Sequence, residues 1–142
     1  DAPIRGAFAG LGHEADQLAM TRAVLEGVAF AFRDSLEALG QAGTKLDRVT
    51  ATGGGSQSRY WLKVLATVLN MPVDLPADGD FGAAFGAARL GLIAAETADP
   101  ASVCTAPDTA RTIEPDTALS GAFEEAYGRY RALYPALKQA MA

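Results

Sequence analysis

The chain has 142 residues, 49% of them hydrophobic, which is enough to bury a real core and too apolar for disorder. Its formal net charge of −5, without any basic run, argues against a nucleic-acid backbone or an anionic membrane surface as partner, and no apolar stretch reaches the roughly 18 residues of a membrane span. One cysteine, Cys104, and one histidine, His13, make a zinc site of the usual His/Cys kind improbable. A carboxylate-only metal site stays open. The lone thiol fits a reducing cytoplasm, and the start, Asp1-Ala2-Pro3-Ile4-Arg5-Gly6, lacks the apolar region of a signal peptide.

Residues 4–11 alternate Ile4, Gly6, Phe8 and Gly10, an extended segment that its glycines weaken as a strand. His13 follows in a polar patch and reads as a solvated or capping imidazole. Residues 14–42 form the longest helical pattern. Leu18, Leu25, Val28, Phe32, Leu36 and Leu39 make its apolar stripe, and Arg22, Glu26, Arg33, Asp34 and Glu37 fall mostly off it. Gly27 costs about 1 kcal/mol inside a helix, which a close packing neighbour would explain. Gly40 and Gly43 are the candidate stops.

Residues 46–52 read as a strand and 58–69 as a second helix, with Trp61, Leu65 and Leu69 on one face and Leu62 beside them. Asn70-Met71-Pro72 ends that helix. Val73-Asp74-Leu75 is a short strand. Residues 76–80 are a loop, where Asp78 and Asp80 read as a solvated acid and a helix cap. Residues 81–95 form a third helix. Its Gly82 and Gly86 lie one turn apart among alanines, a spacing that permits close packing against another element. Residues 96–116, with Pro100, Pro107 and Pro115, read as a long surface loop. Residues 117–141 form a last helix with Phe123, Tyr127, Tyr130 and Tyr134, kinked at Pro135. Helices alternating with strands predict an α/β layer. Two strands are few for a self-contained sheet, so a portion of a larger protein is expected.

The chain is organised around residues 49–62, where a β-branched run enters Gly53-Gly54-Gly55 and a helix-forming run leaves them. Three glycines let the backbone take positive φ and let a ligand approach without meeting a Cβ. Free N–H groups at the following helix start would face a phosphate or a nucleotide, and Ser56 or Ser58 can cap that helix. A plain tight turn is the competing reading. No Lys follows the glycines, so this is not a P-loop, and Ser58 stands where a nucleophile elbow around Ser56 needs Gly. Gly53-x-Gly55-x-x-Ser58 departs from the dinucleotide fingerprint at its third glycine. Asp74 sits near where that fingerprint wants its acid, which keeps a dinucleotide-binding oxidoreductase domain open as an alternative.

Three blocks carry a resemblance. They are Gly6 to Leu11 running on through Thr21-Arg22 to Phe30; Gly53-Gly54-Gly55-Ser56-Gln57-Ser58-Arg59-Tyr60-Trp61; and Gly79-Asp80-Phe81-Gly82 on through Ala88. Together they resemble, in order and near-family spacing, the C-terminal end of FGGY-family carbohydrate kinases, closest to the members that phosphorylate D-xylulose. The first resembles the family's second signature, the next its adenosine loop, the last its Gly/Ala-rich helix. Tyr134-Pro135-Ala136-Leu137 resembles the family's tail. Ala19, Ser56 and Arg59 depart from the commoner residues at their positions.

The resemblance implies an α/β fold, part of an actin-like ATPase (ribonuclease H-like) C-terminal domain, with residues 1–142 a fragment of that nucleotide-binding domain and the loop 96–116 within it. By the same resemblance, the N-terminal sugar-binding domain is expected to lie outside residues 1–142. It implies an ATP-dependent sugar kinase with ATP and Mg2+ as cofactors, and Gly53, Gly54, Gly55, Ser56, Ser58 and Arg59 on the nucleotide. The pentulose would be held mainly by the missing domain, which also carries the family's Asp base. None of Asp16, Asp34, Asp47, Asp74, Asp78 or Asp80 matches that base, so the chain alone is expected to be inactive. Apolar surface left uncovered is expected to drive self-association, a homodimer being the simplest form. A non-catalytic actin-like assembly module is the other alternative.

Overall fold

Asp16 starts the first helix: its Oδ1 accepts a 2.7 Å hydrogen bond from the Ala19 N–H, and α1 runs Gln17–Gln41. Gly43, at φ +90°, ends it, and Thr44 N–H returns to the Leu39 carbonyl at 3.0 Å. Gly40 is still helical. The structure, a computed structural model, describes residues 4–77 and 82–141 and divides into two compact units. The first unit holds the chain up to Lys45, Thr67–Leu69 and the chain from Asp116. In it α1 meets the last helix, α5, Ser120–Met141, which continues through Pro135.

Phe30 is the centre of that contact. Its ring lies 5.4 Å from the Tyr130 ring, 5.8 Å from Tyr127 and 6.4 Å from Phe123. Around it Arg33 grips Glu124 with two hydrogen bonds of 2.6 and 3.1 Å. Tyr127 donates to Asp34 Oδ1 at 2.6 Å, and Arg131 reaches Asp34 and Glu37 at 3.2 and 3.1 Å. This corrects the apolar-stripe reading of α1. Leu18 and Phe32 are 68% and 51% exposed, and Val28 and Leu39 are also exposed. The face on α5 carries Phe30, Arg33, Asp34 and Glu37 instead. On that face the Phe30 ring is buried against the rings of α5, and the buried Tyr127 hydroxyl finds its acceptor in Asp34. Gly27 has no heavy atom within 4 Å of where a Cβ would stand, so no close neighbour explains it. Residues 4–11 form no strand, and His13 lies exposed in a turn.

The second unit, Leu46–Ala66 and Asn70–Pro115, is built on a three-stranded sheet in the order β1-β2-β3. β1 is Val49–Thr50, β2 Val73–Pro76 and β3 Thr109–Ile113. β1 and β2 run parallel, Val49 opposite Val73, and β2 and β3 antiparallel, Val73 opposite Ile113. Helix α2, Arg59–Leu69, makes the crossover from β1 to β2. Asn70, in the left-handed region at φ 51°, ends it, and the Met71 N–H bonds back to the Ala66 carbonyl at 3.1 Å. Leu62, Ala66, Val73 and Ile113 form the core, with Val49, Ala51, Leu65 and Leu75 packed against them.

β3 corrects the reading of residues 96–116 as one loop, which also contains a short helix α4, Pro100–Val103. All of β3 is exposed except Ile113, so its sequence lacks the apolar alternation that marks a half-buried strand. It is a polar edge strand that its pairing with β2 makes visible. Helix α3, Ala83–Glu96, corrects another expectation: Gly82 and Gly86 have nothing within 4 Å of a built Cβ, and nearly the whole helix is exposed. Small residues permit close packing without supplying a neighbour. Asp78 and Asp80, and with them the start of the Gly79 block, lie outside the described residues.

Candidate functional site

The glycine joint begins at the last sheet hydrogen bond of β1, from Ala51 N–H to the Asp74 carbonyl at 2.9 Å. Thr52 leads out, and Gly53 turns the chain with φ +79° and ψ −178°, a combination reserved almost entirely for glycine. A 3-10 turn, Gly54–Gln57, follows. Its Ser56 bonds twice to the Gly53 carbonyl, through the N–H at 3.0 Å and the Oγ at 2.7 Å. Ser58 is the residue that caps α2: its Oγ accepts from the Trp61 N–H at 3.2 Å and its carbonyl from the Leu62 N–H at 3.0 Å. The sequence left Ser56 and Ser58 as equal candidates. The structure divides the work between them.

The joint therefore brings Gly53, Gly54, Gly55, Ser56, Ser58 and Arg59 together as one short surface. A Cβ at Gly53 or Gly54 would meet nothing within 4 Å. At Gly55 it would meet only the Cδ1 and Nε1 of Trp61, both at 3.5 Å. What the joint offers is open backbone with an indole edge behind it. It does not present a full row of free helix N–H groups, because the cap already occupies that of Trp61. Such a surface suits a flat apolar-and-polar group such as a nucleoside better than a bare phosphate, which needs several free donors. For magnesium, no cluster of three His, Cys, Asp or Glu side chains among the described residues could hold a metal ion.

Asp74 is the residue that kept the dinucleotide alternative open in the sequence. It is only 4% exposed. Its Oδ2 lies 2.8 Å from Arg48 Nη1, and its Oδ1 accepts a 2.6 Å hydrogen bond from Thr112 Oγ1. Both oxygens are committed within the sheet, so Asp74 is not placed to hold a ribose, and the dinucleotide reading loses its acid. An acid between Val73 and Leu75 in a short buried strand was the available signal, since buried carboxylates are found paired. Asp16 and Asp34 are likewise engaged, as a helix cap and with Tyr127 and Arg131. Among the described residues no helix is long and apolar enough to cross a membrane.

A parallel strand pair joined through a glycine turn and a crossover helix makes this an α/β unit. Residues 1–95 match the FGGY family of carbohydrate kinases, C-terminal domain, and the chain belongs to that family. The xylulose kinase of Escherichia coli (strain K12) is 43% identical over 91 residues, 64% of this chain and 19% of that protein. A solved structure titled as a xyloylose kinase from Brucella ovis is 66% identical, with a TM-score of 0.89 over 99% of this chain and 29% of that one. The structure of a xylulose kinase from Rhodospirillum rubrum is 33% identical, with a TM-score of 0.78 over 95% of this chain and 28% of that one. The chain thus spans less than a third of each of these relatives. The fold is α/β, that of the C-terminal domain of actin-like sugar kinases.

Proposed function

We propose that this chain is the nucleotide-side portion of an ATP-dependent sugar kinase that converts D-xylulose to D-xylulose 5-phosphate. The observation that carries the reading is the open glycine surface at 53–55 on the strand–turn–helix joint, in a chain whose relatives are named xylulose kinases. In this reading Gly53 sets the bend, and Gly54 and Gly55 lie against the adenosine. Ser56 and Ser58 hold the turn and the helix start that frame it, and Arg59 stands at the rim. ATP supplies the phosphoryl group. The pentulose hydroxyl attacks its γ-phosphorus, ADP leaves, and the hydroxyl proton passes to a base. That base, the magnesium ligands and the sugar contacts lie on the part of the protein outside this chain. We place the enzyme in the cytoplasm, with neither nucleic acid nor membrane as partner, and assign the exposed apolar faces of α1 and α3 to contacts with the rest of the protein or with a second copy.

Gly55→Val in the full-length kinase tests the reading. Trp61 already fills the inner side of that position at 3.5 Å, so a branched side chain must project toward the ligand. The expected result is ATP affinity reduced at least about tenfold, or about 1.4 kcal/mol, with the circular dichroism spectrum unchanged. Unaltered ATP affinity in a folded variant would overturn the assignment of the joint.

A further inference from the structure

We infer that Asp74 is a positioning residue for the glycine joint, acting through a clasp of Arg48, Asp74 and Thr112 that joins all three strands. The inference rests on the nucleotide reading of the joint. Asp74 is the middle member of the sheet register, opposite Thr50 on one side and Thr112 on the other. Its carbonyl accepts the Ala51 N–H, the last sheet hydrogen bond before Gly53. Its carboxylate takes Arg48 from the residue preceding β1 and Thr112 from β3, at 2.8 and 2.6 Å. One buried side chain and its own carbonyl thus fix β1 at both ends of its two residues. β1 is also tied to the sheet at Val49, whose N–H bonds to the Pro72 carbonyl at 3.1 Å. Val49 and Ala51 pack it against the core, and the clasp sets the direction in which so short a strand leaves the sheet. Where β1 points decides where Gly53 to Gly55 emerge.

Burying a carboxylate this deeply is costly unless it is paired, and an apolar residue would hold a strand at less cost. What the acid adds is direction. A carboxylate accepting from a guanidinium on one side and a hydroxyl on the other has one orientation in which both bonds are made. Arg48 is 58% exposed, so its removal disturbs little packing. Thr112→Val keeps the shape and removes only the hydroxyl.

The test uses the full-length kinase and steady-state rates with ATP and D-xylulose varied in turn. Arg48→Met, and the double variant Arg48→Met with Thr112→Val, should raise the KM for ATP by about tenfold, because a displaced loop loses binding common to ground and transition states. The kcat and the KM for D-xylulose should stay within about twofold of the parent. Arg48→Lys, which keeps a cation within reach of Asp74, should recover part of the loss. Gly55→Val is run alongside. If Gly55→Val raises the KM for ATP and the clasp variants lower only the melting temperature, the clasp is structural and the inference is overturned while the nucleotide reading stands. If Gly55→Val also leaves ATP binding unaltered, both fall together.

Discussion

Gly53 and Gly54 are adjacent glycines, and the structure assigns opposite signs to the same substitution at each. Gly53 sits at φ +79° and ψ −178° with nothing within 4 Å of a built Cβ. Gly53→Ala therefore meets no steric neighbour, and its cost is the backbone conformation alone, about 1–3 kcal/mol. Gly54 has equally open space but no positive φ. There alanine removes freedom from the unfolded chain and gains about 0.4–1 kcal/mol. With an unfolding entropy of roughly 2 cal/mol/K per residue, each kcal/mol moves the melting temperature of a chain this size by about 3 °C. Gly53→Ala should melt about 3–9 °C below the parent and Gly54→Ala slightly above it. A mirror control is available: inverting the signs at Gly53 gives −79° and 178°, an ordinary extended conformation. D-alanine placed there by semisynthesis should not destabilise. Thermal denaturation followed by circular dichroism checks all three. If Gly53→Ala melts at or above Gly54→Ala, the joint does not hold the conformation on which its open surface depends.

Elements were legible in the sequence where a local device fixes them. The helix expected over 14–42 is observed over Gln17–Gln41 because Asp16 caps it and Gly43 ends it. The strand at 73–75 and the helix at 58–69 were equally local readings, set by Met71-Pro72 and by the serines. What failed depended on partners far away in the chain. The periodicity of α1 marked an apolar face without saying what would cover it, and the face that packs meets Phe123, Tyr127 and Tyr130 of α5, with Tyr127 93 positions from its partner Asp34. β3 was invisible because an edge strand has no need of apolar alternation. At the glycine joint, Gly53 was legible because its positive φ demands that residue type, whereas Gly54 and Gly55 hold no positive φ. The clasp was not, because Arg48 and Thr112 lie 26 and 38 positions from Asp74 and neither looks unusual alone. The relatives' names reach further than the residues described: a glycine joint speaks of a ligand's approach, and the acceptor sugar leaves no mark on it.

Three further outcomes follow from the same geometry. Gly86→Ala should stabilise the isolated chain by up to about 1 kcal/mol in urea unfolding, since α3 is exposed there and alanine is the better helix former; destabilisation would mean that something covers that face. The Tyr127 phenol is pushed up to about 12, first by burial and then by its hydrogen bond to Asp34, with Arg131 opposing. Because the folded value lies above the unfolded one near 10, its contribution to stability is complete below about pH 10 and is lost between about pH 10 and 12; tyrosinate absorbance at 295 nm should show a late-titrating phenol that Tyr127→Phe removes. Last, the 142-residue chain incubated with ATP, magnesium and D-xylulose should release no ADP in a sugar-dependent way. Phosphoryl transfer needs an acceptor hydroxyl beside a base and a γ-phosphate held in line with its charge offset. Asp16, Asp34 and Asp74 are engaged by a helix N-terminus, by Tyr127 and Arg131, and by Arg48 and Thr112. No lysine stands directly after the glycines as in a P-loop, and a single open turn leaves most of a nucleotide in water. Turnover that exceeds a heat-inactivated control and survives a second purification would show that this chain holds a base of its own, and the search for it would start at Asp47, Asp78 and Asp80.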